Sequence, residues 1–122
     1  MTARKSGRHP QAVRVEVRFT SWAVDDMRHL HKLDPKAALV VAAKIEMIRI
    51  NPEVGQPLRG PLAGFRKLAV RNRELRIIWR VTWEDDGAAI VDIAEIWAVG
   101  HRRDDEVYRT MGQRTGGNRP TE

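Results

Sequence analysis

Arg76 sits inside the strand-like run Leu75-Arg76-Ile77-Ile78-Trp79-Arg80-Val81, and Arg102 follows the next hydrophobic run in Gly100-His101-Arg102-Arg103. Tyr108, the only tyrosine, comes shortly after. A guanidinium inside a strand is costly unless it meets water or an anion, and its planar donor fork fits a phosphate or carboxylate bidentately. If the strands pair, two such forks come within range of one phosphate, together with the imidazole of His101 and the phenol of Tyr108. That set suits chemistry on RNA. Metal-independent cleavage there has three needs: a proton removed from the 2′-hydroxyl, charge stabilised on the phosphorane, and a proton given to the leaving 5′-oxygen. Arginine does not exchange its proton near neutral pH, so Arg76 and Arg102 read as charge clamps. His101, with an ordinary pKa of about 6.5, suits proton transfer. Tyr108 suits it if neighbouring cations lower its pKa. Each residue also has a plainer reading. Arg76 can pair with Glu95 or Asp92 on a neighbouring strand, Arg102 can be a solvated loop residue, His101 can cap the sheet end, and Tyr108 can simply pack.

Further cations surround this set. Between Phe65 and Trp83 there are six basic residues (Arg66, Lys67, Arg71, Arg73, Arg76, Arg80) and one acid, Glu74. Arg66, Lys67, Arg80 and Arg103 are the candidate ligands for backbone phosphates. Arg66 and Lys67 point to opposite faces of a strand, and Lys67 takes the cleft side if Leu68 and Val70 face the core. Over the whole chain 22 Lys and Arg oppose 16 Asp and Glu, a net charge of +6. Such a balance attracts polyanions, or an acidic protein partner.

The absence of cysteine excludes a disulfide scaffold, a thiolate nucleophile and a cysteine-ligated zinc site. His29 and His31, two residues apart, do not share a helical face and make a poor metal pair. No metal or other cofactor is expected. No apolar run is long enough to span a membrane, and no hydrophobic segment follows the N-terminus, so the expectation is a cytoplasmic protein without a membrane partner.

The elements that must position these residues follow from patterning. Residues 1–12 read as a flexible basic arm, 13–111 as the domain, and 112–122 as a flexible tail. Val13, Val15, Val17 and Phe19 alternate with charged residues, as in a half-buried strand. Thr20 or Ser21 can cap a first helix. Asp34-Pro35 restarts a second, with Val41, Ile45 and Ile48 on one side, and Asn51-Pro52 stops it. A Pro- and Gly-rich loop leads to three strand-like runs, Phe65 to Val70, Glu74 to Trp83 and Ala88 to Val99. The last two are joined by the turn Glu84-Asp85-Asp86-Gly87. Arg103 to Met111 reads as a short terminal helix. The fold class is α+β, a small antiparallel-rich sheet in β-α-α-β-β-β order with an N-terminal helical pair packed on one face. On the central strand Leu75, Ile77, Trp79, Val81 and Trp83 share the core face. Arg76, Ile78, Arg80 and Thr82 share a face expected to be open. Trp97 follows the parity of Val99.

Three segments taken together carry a family pattern: Leu58-Arg59-Gly60-Pro61-Leu62-Ala63-Gly64-Phe65-Arg66-Lys67-Leu68, then Glu74-Leu75-Arg76-Ile77-Ile78-Trp79, then Val99-Gly100-His101-Arg102 with Val107-Tyr108-Arg109. In order and spacing they resemble the RelE/ParE superfamily of type II toxin–antitoxin toxins, over about residues 13 to 111. RelE-like members are ribosome-dependent mRNA endonucleases restrained by a cognate antitoxin, whereas ParE-like members share the fold and poison DNA gyrase. The resemblance implies an mRNA interferase and endoribonuclease that inhibits translation, with an antitoxin and ribosome-bound mRNA as partners. It matches Arg76 to the arginine that contacts the scissile phosphate, and Arg102 and Tyr108 to catalytic positions. Arg66 and Lys67 fall where those nucleases place lysines. Ala69 stands where the family is often basic, and Trp79 where the aromatic is usually tyrosine. The alternatives are a gyrase inhibitor or a catalytically inactive nucleic-acid or protein-binding module.

Overall fold

Local signals set most element boundaries of the computed structural model, which describes residues 4–101 and 106–116. The strands are β1 (Arg4–Ser6), β2 (Val15–Phe19), β3 (Gln56–Pro57), β4 (Phe65–Val70), β5 (Leu75–Asp85) and β6 (Ile90–His101). The helices are α1 (Ser21–Leu33), α2 (Pro35–Ile50) and α3 (Glu106–Gly116). The Thr20 hydroxyl accepts from the Ala23 amide at 3.2 Å, satisfying a free N–H at the start of α1. Asp34 ends that helix and caps the next, its carboxylate accepting from Ala37 N at 3.1 Å, with Pro35 in the first turn where a missing N–H costs nothing. Among the described residues no helix is long and apolar enough to cross a membrane.

The sheet order is β2-β6-β5-β4-β3, with β1 pairing β5 beyond the end of β4. β2 runs parallel to β6 and the other pairings are antiparallel. On one face Leu75, Ile77 and Trp79 pack with Leu30, Val41, Ile45 and Ile48 of the helical pair, as the patterning requires. The α+β class and the helical pair match the sequence reading.

The opposite face of β5 differs from expectation. It is partly covered: Phe65, Ile78, Trp97 and Ala98 form a second cluster with Val107 and Met111 of α3. Those two residues lie one helical turn apart, so the terminal helix presents a single apolar edge to the sheet. The helix also continues to Gly116, past the expected start of a flexible tail. Arg76 and Thr82 on this face are buried as well.

Two further departures come from pairing between distant segments. Ile78 pairs with Ala98 but Trp79 pairs with Ile96, so Trp97 is the extra residue of a β-bulge. The bulge puts Trp97 on the α3 face beside Ala98, opposite Val99. Arg4–Ser6, expected in a flexible arm, forms a strand with Trp83 and its neighbours. The chain after it is held by Asp92, which accepts from Arg8 Nε at 2.9 Å and from the His9 amide at 2.8 Å.

The loop before β4 is pinned to the sheet. Trp79 Nε1 donates to the Pro52 carbonyl at 2.9 Å. Gly55 has φ +77°, and a Cβ there would stand 2.2 Å from the Lys67 carbonyl oxygen. Only glycine allows the loop to press this closely on β4.

Candidate functional site

Strand register decides which candidate residues meet. Ala69 pairs with Arg76, and Lys67 with Ile78, across β4 and β5. Leu68 and Val70 join the helical-pair core, so Lys67, Ala69 and Arg76 face the other way, toward the α3 side. Lys67, Ala69, Arg73 and Arg76 line one cavity of about 390 Å³ at the β4 edge, and none of its described lining residues is acidic. Arg76 is only 8% exposed. Its Nη1 donates to the carbonyls of Arg73 at 3.0 Å and Leu75 at 3.3 Å, which fixes the guanidinium plane. The alternative acid partners are engaged elsewhere: Glu95 accepts from Arg80 and Asp92 from Arg8. Tyr108 joins the site from α3. The Lys67 Nζ lies 5.8 Å from its ring centroid, and the ring is half-buried against the second cluster.

Arg73 is a member that the sequence reading missed. It comes from the β4–β5 turn, where Arg71, Asn72 and Arg73 have φ of 53°, 53° and 68°. Left-handed backbone in non-glycine residues costs roughly 1–2 kcal/mol each, and strain of this kind gathers at functional sites. The basic run was visible, but the turn geometry divides it. Arg71 turns to Asp34 at the junction of α1 and α2, while Arg73 lines the cavity. The Arg71 guanidinium and the Ala37 amide hold the Asp34 carboxyl below its usual range.

The structure does not bring His101, Arg66 or Arg80 to this cavity. His101 pairs with Leu75, a residue of the helical-pair face, while Arg76 pairs with Gly100. The imidazole lines a separate cavity with His29, Asp34 and Arg71, across the sheet from Arg76. Arg66 faces the helical-pair side and is used as a staple, its Nε donating to the Val54 carbonyl at 3.1 Å and its Nη2 to those of Glu53 and Gly55. Arg80 donates Nε to Glu95 at 2.8 Å, and its guanidinium carbon lies 4.9 Å from the Trp97 ring. Arg8, Arg66 and Arg80 line a notch between β1 and β4 of about 360 Å³. Carboxylates beside two of them offset much of the charge there. Arg102 and Arg103 lie outside the described residues. Among the described residues no cluster of His, Asp and Glu could hold a metal ion.

With Arg76 oriented by backbone carbonyls and no acid among its described lining, the Lys67–Arg73–Arg76 cavity could accommodate an anion with several acceptor oxygens. No family model matches the chain, and no curated protein matches it. Solved structures do. A YoeB/ParE toxin from Agrobacterium tumefaciens superposes with a TM-score of 0.58 at 20% identity, over 71% of this chain and 98% of its own, which shows a shared fold. The RelBE2 toxin–antitoxin complex from Mycobacterium tuberculosis matches with a TM-score of 0.50 at 34% identity, over 74% of this chain and 100% of that one. An identity of 34% over the full length of that relative, together with the shared sheet and helical pair, means that the chain belongs to the RelE/ParE superfamily of type II toxin–antitoxin toxins.

Proposed function

We propose that this toxin acts by metal-independent cleavage of mRNA on the ribosome and is restrained by a cognate antitoxin. The observation that carries the reading is the convergence of Lys67, Arg73 and Arg76 on one cavity whose described lining has no acid, with Tyr108 alongside. Arg76 holds the scissile phosphate. Its guanidinium is already oriented by two backbone carbonyls, so little reorganisation is needed as charge builds on the phosphorane. Arg73 adds a second positive charge from the turn. Among the described residues, Lys67 and Tyr108 are the groups at this end that can exchange a proton, and the 2′-hydroxyl and the leaving 5′-oxygen define their tasks. His101 has no part in this scheme, because it stands on the other side of the sheet.

The cavity is open and small, so the ribosome does much of the work of presenting the message. The RelBE2 relative was solved as a toxin–antitoxin complex, which supports an antitoxin partner here. Its acidic residues would neutralise the surplus of arginine and lysine.

The test compares purified protein on mRNA carried by translating ribosomes with the same RNA free in solution. Much faster cleavage on ribosomes is expected. Equal and rapid cleavage of both would make this a free ribonuclease. No cleavage, with DNA gyrase supercoiling inhibited and translation intact, would replace the reading with a gyrase poison.

A further inference from the structure

The β4–β5 turn ties the Arg76 end of the sheet to the helical pair. Arg71, Asn72 and Arg73 are three successive left-handed residues, and none is glycine, the residue that takes this conformation freely. A turn of this kind persists only where its surroundings over-determine it. One restraint is internal, the Glu74 amide donating to the Arg71 carbonyl at 3.1 Å. A second comes from outside the turn, the Arg71 guanidinium donating to Asp34. Asp34 is itself fixed at the junction of α1 and α2. Its amide donates to the Leu30 carbonyl at 2.7 Å, and its carboxylate accepts from the Ala37 amide. Two residues beyond Arg71, the Arg73 carbonyl accepts from Nη1 of Arg76 at 3.0 Å.

A chain of contacts therefore runs from the helical pair through Asp34, Arg71 and the turn backbone to the Arg76 guanidinium. Both side chains of the Arg71–Asp34 pair are 39% exposed, and a pair so exposed adds little to global stability. Its effect is local, on the turn it holds. We propose that Arg71 and Asp34 are positioning residues for Arg76. They keep the turn in its left-handed form, so that the Arg73 carbonyl holds the Arg76 guanidinium in the plane that receives the phosphate. The proposal rests on reading Arg76 as the group that holds the scissile phosphate, and adds what sets its orientation. Neither Arg71 nor Asp34 is among the described residues that line the Lys67–Arg73–Arg76 cavity, so neither is assigned a contact with the substrate. Without the brace the turn relaxes and Arg76 loses one of its two carbonyls. That lowers the rate of the chemical step more than the binding of the message.

The experiment reads the protein alone and then its cleavage of mRNA on stalled ribosomes. In nitrogen-15 spectra of the arginine side chains, wild-type Arg76 is expected to show slowed rotation about its Cζ–Nη bonds, because Nη1 donates to two carbonyls. Arg71→Ala should lose that slowing, and so should Asp34→Asn, which keeps the helix cap. Both should lower the single-turnover plateau rate roughly 10-fold at an unchanged half-saturating concentration. Arg71→Gly removes the same charge but also the strain of a side chain at φ 53°, so it should keep most of the slowing and of the rate. In an Arg76→Ala background, Arg71→Ala should cost nothing further. Slowed rotation of Arg76 that persists in Arg71→Ala would overturn the brace. Equal rate losses in Arg71→Ala and Arg71→Gly would overturn it too, assigning the loss to charge alone. If Arg76→Ala still slowed cleavage in either case, the cleavage site itself would stand. A wild type that cleaves no message would remove the cleavage reading, and the spectra would still decide the brace.

Discussion

Arg114 grips Asp26 with both ends of its guanidinium, Nη1 to Oδ2 at 2.7 Å and Nη2 to Oδ1 at 2.8 Å. The two residues come from α3 and α1, which pack on opposite faces of the sheet. They meet around the end of β6, where β2 no longer pairs with it beyond Ile96. Asp26 also accepts from the Val99 amide at 3.0 Å, and Arg114 donates to the Trp97 carbonyl at 2.7 Å. The seat of α3, and with it the position of Tyr108 beside Lys67, is therefore set partly from α1.

Asp26→Ala should release this latch. The lost charged hydrogen bonds should cost about 2 kcal/mol of stability. Hydrogen exchange should quicken in α3 more than in β5, and cleavage should fall as Tyr108 leaves Lys67. Unchanged exchange protection of α3 would show that Val107 and Met111 alone hold the helix.

Arg76 carries the clearest prediction for chemistry. Arg76→Ala should slow single-turnover cleavage by roughly 10²–10³-fold, the usual effect of removing a preorganised charged donor. Arg76→Lys should recover part of it, since a point charge replaces a fixed fork. The substitution touches the fold as well. The residue is nearly buried and serves the carbonyls of Arg73 and Leu75. A loss of about 1–3 kcal/mol is expected from leaving those groups unpaired, to be measured by denaturant unfolding alongside the kinetics. Wild-type rates in folded Arg76→Ala would remove the phosphate clamp.

The sheet separates His101 from Tyr108, and the two should behave differently. His101→Ala should leave the single-turnover rate within about threefold of wild type, well short of the roughly 10²–10⁴-fold expected of a general acid or base. Tyr108→Phe and Lys67→Met should lower the rate and alter its pH profile, if either group moves a proton. A His101→Ala defect of two orders of magnitude would mean that the chain end rearranges on the ribosome to bring the imidazole over.

Asp34 links the β4–β5 turn to the helical pair and should leave a signature in acid. Its folded pKa is lowered, first by the hydrogen bond from Arg71 and then by the Ala37 amide. A depressed carboxyl contributes stability above its unfolded pKa, about 3.9, and loses it as pH falls through the folded value. Asp34→Asn keeps a competent cap and removes the charge. The difference in Tm between wild type and Asp34→Asn should thus be constant near neutral pH and shrink below about pH 4. A difference that persists unchanged at pH 2 would assign the effect to capping geometry.

What the chain order by itself determined is local. Thr20, Asp34-Pro35 and Asn51-Pro52 mark the helix ends because capping and proline act over a few residues. β4 runs from Phe65 to Val70 as read, and Lys67 takes the cleft side because Leu68 and Val70 need the core. That Arg76 lies on the face of β5 opposite the helical-pair core was visible for the same reason, whereas its burial there was not. Tertiary structure decided the rest. Parity counting fails at a bulge, so Trp97 changed face once β5 and β6 were registered. His101 and Arg76 fall on opposite sides because Leu75 and Gly100 are their partners, a fact about two strands rather than one. Arg66 became a loop staple, Arg80 a partner of Glu95, and Arg73 a wall of the cavity, because each cation goes to the acceptors or the open space that folding brings to it. A basic run in the sequence therefore states how much charge there is, and only the packed sheet states which of it remains available to a phosphate.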